Sequence, residues 1–171
     1  MMRMKFVGIF TALFAFTFLF SDLMESYGAE TVESQFLKNI RQLTYEGKRA
    51  GEGYFSEDGK ALIFQSEREP ENPFFQIYLL DFETGDTNRV SPGTGKTTCS
   101  FCRPGTNDVL FASTHLDPEA KAKQQAEFEF RATGKERRFT WDYDEHYDIF
   151  SAQRDGSKLK QLTNSTGYDA E

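Results

Sequence analysis

Phe55-Ser56-Glu57-Asp58-Gly59-Lys60-Ala61-Leu62-Ile63-Phe64 decides how this chain folds. It places an Asp-Gly turn between two apolar runs, the strongest short-range signal for a β-hairpin. The first strand ends in Gly53-Tyr54-Phe55-Ser56, and residues 61–65 form the second. Residues 75–82 (FQIYLLDF) read as a third strand. Thr84-Gly85-Asp86 then turns into a fourth, Asn88-Arg89-Val90-Ser91.

The same order returns further on. Ser100-Phe101-Cys102-Arg103-Pro104-Gly105 echoes Tyr54-Phe55-Ser56-Glu57-Asp58-Gly59. Val109-Leu110-Phe111-Ala112-Ser113 echoes Leu62-Ile63-Phe64-Gln65-Ser66, and Asp148-Ile149-Phe150 echoes Gln76-Ile77-Tyr78. Asp155-Gly156 echoes Thr84-Gly85, and Lys160-Gln161-Leu162-Thr163 echoes Arg41-Gln42-Leu43-Thr44. The spacing predicts two four-stranded antiparallel units with a loose end on each side. Repeats of about 45 residues with four strands each indicate a β-propeller. One such sheet cannot bury both faces alone, so neighbours stack and cover each other. An unrelated β-sandwich is the alternative, weakened by five landmarks recurring in one order.

The expected organisation is a signal peptide over 1–29, a linker over 30–39 and a partial propeller over 40–171. Its blades span about 50–91 and 97–163, with an insertion over about 115–146 and the start of a third blade at 168–171. Within the insertion, residues 121–127 (KAKQQAE) have helix-forming composition. The segment 40–44 matches the last strand of a unit. Two blades cannot close a ring, and the expectation is an N-terminal fragment of a longer protein.

Composition narrows the function. Twenty basic against 27 acidic residues give a net charge of −7, which disfavours a nucleic-acid reader. Eighteen Phe and seven Tyr suit strands better than helices. Two Cys cannot make a disulfide framework. Arg3 and Lys5 precede an uncharged apolar run at 6–20, short for a membrane span but right for a signal-peptide core. Cleavage after Gly28 fits, with Ala29 the neighbouring choice. An uncleaved anchor is the alternative. The expected location is therefore periplasmic or secreted, with no stable membrane insertion after cleavage.

The stretch Phe55-Ser56-Glu57-Asp58-Gly59-Lys60 followed by Gln76-Ile77-Tyr78-Leu79-Leu80-Asp81 resembles the WD-like repeat of the TolB family. Asp155-Gly156-Ser157 and Gln161-Leu162-Thr163 look like its usual ending. The resemblance covers about residue 40 onward. It departs at Glu57, where the family has proline, and at Cys102-Arg103-Pro104, where it has serine-proline-aspartate. The family's separate N-terminal domain is not evident. What the resemblance implies is a TolB-like periplasmic propeller.

Several motifs tempt toward chemistry. Pro92-Gly93-Thr94-Gly95-Lys96-Thr97-Thr98 looks like a phosphate-binding loop. The required earlier glycine is Val90 here, a strand rather than a helix follows, and export removes ATP. Cys99-Ser100-Phe101-Cys102 lies in a predicted strand, not at a helix start, and has no second pair for zinc. Cys102 reads as a small core residue. If residues 141–148 (WDYDEHYD) were extended, Asp142, Asp144, His146 and Asp148 would share one face and could hold a hard cation. A solvated loop end is the preferred reading. No Ser/His/Asp arrangement is legible, so no catalytic residue, metal or cofactor is assigned.

The favoured function is a module binding a protein or carbohydrate ligand. The alternative is the propeller part of an exported enzyme such as a prolyl-oligopeptidase-like hydrolase. The ligand-binding residues are expected at a channel mouth, on the segment entering each innermost strand: Glu52, Thr98 as its match in the second unit, and Asp169 with Glu171 in the third. The insertion is expected to be exposed and mobile, and to serve as a contact surface.

Overall fold

The computed structural model describes residues 32–138 and 143–170. The segment read as a signal peptide, and Trp141, Asp142 and Glu171, lie outside the described residues. The chain divides into two compact units, Met1–Leu43 and Thr44–Glu171. Among the described residues of the first, a 3-10 turn covers Val32–Gln35. The expected strand over 40–44 is not formed. A strand exists only through a ladder, and these residues belong to neither ladder of the second unit.

That second unit is all-β, as read from the repeat: two four-stranded antiparallel sheets of propeller-blade type. The first sheet takes β1 (Ala50–Phe55), β2 (Ala61–Ser66), β3 (Gln76–Asp81) and β4 (Thr87–Arg89) in sequential order. The second takes β5 (Thr97–Cys102), β6 (Asp108–Ser113), β7 (Asp148–Gln153) and β8 (Lys160–Gln161) in the same order. One helix, α1 (Ala120–Ala132), stands between β6 and β7. Among the described residues no helix is long and apolar enough to cross a membrane.

The hairpin that opens the first sheet is held by its side chains. Ser56 Oγ donates to Asp58 Oδ1 at 2.6 Å and accepts from the Ala61 N–H at 2.9 Å. Gly59 sits at φ 68, a conformation that costs an L side chain about 1–2 kcal/mol. In the matching turn the positive φ falls at Gly105, one position earlier, right after Pro104. Proline then glycine at the two central positions is the type II pattern, so the two turns differ in type while spanning equal lengths.

Alternation along β2 and β6 sets the core. Ala61, Ile63, Ile77, Leu79 and Val90 of the first sheet pack with Cys102, Val109, Phe111, Phe150 and Ala152 of the second. Phe64, Tyr78 and Leu80 lie on the opposite face of the first sheet as a separate cluster. Ala112, Tyr147 and Ala170 do the same for the second. Each sheet therefore has two apolar faces, as stacked blades require.

Both inner strands, β1 and β5, carry a bulge, between Gly51 and Tyr54 and between Thr98 and Phe101. The bulged residues with positive φ are Glu52 (φ 45) and Cys99 (φ 52). The ladders pair Phe55 with Leu62 and Cys102 with Val109. Cys102 thus matches Phe55 rather than Ser56, and the counterpart of Glu52 is Cys99, not Thr98. The sequence match slipped by one because it was anchored on a glycine that sits at different turn positions in the two hairpins.

Candidate functional site: a charged platform at the loop end

The connections after β2 and β6, and the β4–β5 connector, leave the same end of the two sheets. Residues 114–147 form the longest of them. Asp117-Pro118 starts the helix: the Asp117 carbonyl accepts from the Ala120 N–H at 3.0 Å and Asp117 Oδ1 from the Glu119 N–H at 2.8 Å. The expected helix over 121–127 is present and runs on to Ala132. Most of the described segment is exposed, as expected, but the helix is anchored at one buried side chain. Gln124 is buried, donates to the Glu71 carbonyl at 2.8 Å and accepts from the Gly95 N–H at 3.0 Å. One side chain thereby ties the helix to both other connections.

Two buried carboxylate networks complete the platform. Glu67, at the end of β2, meets Arg131 of α1 at 2.6 Å, Arg49 at 3.0 Å and Lys48 at 3.5 Å. Burial pushes its carboxyl up, but the hydrogen bond and charge of Arg131, with Arg49, outweigh this and hold it below its ordinary value. Arg131 also pairs with Glu127 one turn back at 2.8 Å, and Glu127 reaches Arg137 at 2.9 Å.

The second network joins Asp117, Asp144 and His146, whose ligating atoms lie within 4.8 Å of one another. Lys123 Nζ stands among them, 2.7 Å from Asp117 Oδ2 and 3.0 Å from Asp144 Oδ2, and Lys96 Nζ is 3.2 Å from Asp144. Burial would raise Asp144, yet Lys123, the His146 N–H and Lys96 bring it down to about 2. The positive charge that two buried carboxylates require is supplied by Lys123 and Lys96, so the hard-cation reading of this stretch gives way to an internal ion-pair network. Its geometry differs too. Residues 143–147 form a turn, and Asp148 instead accepts from Gln161 and Thr163 at 2.9 and 3.2 Å.

The phosphate-loop look-alike is spent on structure. The Gly95 carbonyl accepts from Asn72 at 2.8 Å and Gln76 at 2.9 Å, and its N–H serves Gln124. A Cβ on Gly95 would approach Thr114 to 2.8 Å, and φ there is 69. Cys99 and Cys102 are free thiols, Cys102 in the core, where burial raises its pKa.

The anticipated mouth residues lie apart from this platform's networks. Glu52 is exposed on the β1 bulge. Thr98 is half-buried and donates to Gln65 at 3.1 Å. Asp169 accepts from Ser165 Oγ at 2.6 Å, while its N–H donates to the Tyr147 carbonyl at 3.0 Å. Among the described residues no hydrogen bond or ion pair joins Glu52 to Thr98 or Asp169. Sequence reading missed Glu67, Asp117, Lys123 and Arg131. Asp-Pro before a helix-forming run and the Glu127–Arg131 spacing were the available signals.

No family model matches the chain, and no curated protein does. Thirteen chains of solved structures match. One is a TolB candidate from Agrobacterium tumefaciens, 19% identical, covering 73% of this chain and 37% of that one, with a TM-score of 0.49. The present chain thus spans little more than a third of that protein's length. The assignment to the propeller class rests on the two sheets and their register.

Proposed function

We propose that this chain is an exported, TolB-like propeller module that binds a protein or glycan partner through its loop end. The supporting observation is the platform itself. An insertion absent from the first blade is folded into a helix and fastened to the first blade by Gln124 and Arg131 and to the β4–β5 connector by Gln124 and the Lys96–Asp144 pair. Its outer side, with Lys121, Gln125 and Glu129, stays exposed. A rigid scaffold presenting a polar surface binds with little ordering cost. Export rests on the apolar run at 6–20, and release of the protein by osmotic shock is the check on it.

Photo-cross-linkers at Lys121 and Gln125 test the surface, with Asp155 at the opposite end as control. Discrete adducts from the α1 positions and none from Asp155 are expected in the native compartment. Equal labelling at both ends would overturn the reading. A glycan partner would show as retention on immobilised cell-envelope polysaccharide that Lys121→Glu weakens.

The channel mouth expected at Glu52, Thr98, Asp169 and Glu171 is part of the same proposal. Glu52→Ala should lower partner affinity while leaving the melting temperature unchanged. An unaltered affinity would remove the mouth from the binding surface.

A further inference from the structure

The opposite, hairpin end carries a feature independent of the platform. The turns after β1, β5 and β7 surround a groove of about 470 Å³. Its walls include Glu57, Asp58, Cys102, Arg103, Asn107 and Arg154. A volume of this order suits a small molecule.

Its charges are incompletely used. Arg154 is half-buried, and its Nε is fully buried without a hydrogen-bond partner. Buried donors are ordinarily satisfied, so this Nε is an unspent donor behind a side chain that lines the groove. The backbone holds it in place: the Arg154 N–H donates to the Asn107 carbonyl at 3.1 Å. Among the described residues neither Arg154 nor Arg103 forms a salt bridge, although Arg154 lies near enough to Asp58 to help hold that carboxyl below its ordinary value. On the other wall, Glu57 Oε2 accepts from the Gly105 N–H at 2.8 Å, and Asp58 Oδ1 accepts from Ser56 and Lys60. Among the described residues the second oxygen of each acid accepts no hydrogen bond. Cys102 adds a neutral, buried thiol.

We propose that this groove binds a small zwitterion of the amino-acid or short-peptide kind, its carboxylate on Arg154 and Arg103 and its ammonium on Glu57 and Asp58. A guanidinium fork matches a carboxylate in two parallel hydrogen bonds. A phosphate dianion would be repelled by the two acids, and a simple cation by the two arginines. Only a ligand carrying both signs satisfies both walls.

An amide NMR titration of the full chain tests this, reading Thr106, Asn107 and Gly105. The probes are glycylglycine, acetate and inorganic phosphate. Glycylglycine should shift these amides saturably and bind at least about tenfold more tightly than acetate, one charge pair being worth roughly that factor. Arg154→Gln should weaken glycylglycine about tenfold or more. Glu57→Gln, which keeps an acceptor for Gly105, should bring glycylglycine down toward acetate. Arg154→Lys, retaining the charge without the fork, serves if the glutamine variant does not fold, and an intermediate loss is expected. Absence of saturable shifts, equal affinity in the Arg154 variants, or phosphate binding as tightly as glycylglycine would each overturn the proposal.

Discussion

At the scale of single residues, buried charge at the loop end is compensated one group at a time. Asp144 shows the consequence for stability. Its carboxyl ionises near 2 when folded, against 3.8 for an unperturbed aspartate. A depressed folded-state value means the unfolded chain binds the proton more readily. The associated stabilisation, about 2 kcal/mol, is therefore complete above pH ~5 and lost as pH falls from about 3.8 to 2. Urea melts between pH 6 and 2 should show that decline in the wild type, and Asp144→Asn should flatten it. The asparagine variant should also be less stable at pH 7, because Lys123 and Lys96 lose the carboxylate they share.

Elements depend on fewer contacts than their length suggests. α1 has a polar outer side and few buried residues, so propensity alone would leave thirteen residues marginal in water. Its tether is Gln124. Gln124→Ala removes the acceptor for the Gly95 N–H and the donor to Glu71, a loss of about 1–3 kcal/mol for buried groups left unsatisfied. Hydrogen exchange at Gly95 and along α1 should accelerate, while β2 and β6 remain protected. The inner-strand bulges give a second test. Glu52 holds φ 45, which valine tolerates poorly. Glu52→Val should lower stability by about 1 kcal/mol or more relative to Glu52→Gly, measured by chemical denaturation.

For the folded unit as a whole, the decisive feature is that one core belongs to both blades. Phe111 and Phe150, a cross-strand pair of the second sheet with rings 6.1 Å apart, face into the core shared with the first sheet, each almost fully buried. Phe111→Ala should cost about 3–5 kcal/mol through lost burial and the cavity left behind. Because Ile63, Ile77 and Leu79 pack into the same cluster, amides of β2 and β3 should lose protection together with those of β6 and β7. Independent melting of the two sheets would contradict a shared core.

The two four-stranded sheets and their strand order were legible because hairpin turns and period-two alternation are local properties. The helix was legible from composition, and its end at Ala132 is set locally by Thr133 and by Gly134 at φ 67, whereas its docking uses Arg131 reaching Glu67, 64 residues away. Turn type and bulge register were not: Gly59 and Gly105 look equivalent in sequence but occupy different turn positions, and only the ladders show that Glu52 answers to Cys99. Nor could sequence tell that Lys123 occupies the space between Asp117 and Asp144. Charges brought together from separate segments interact through distance, and distance between remote residues exists only once the sheets have stacked.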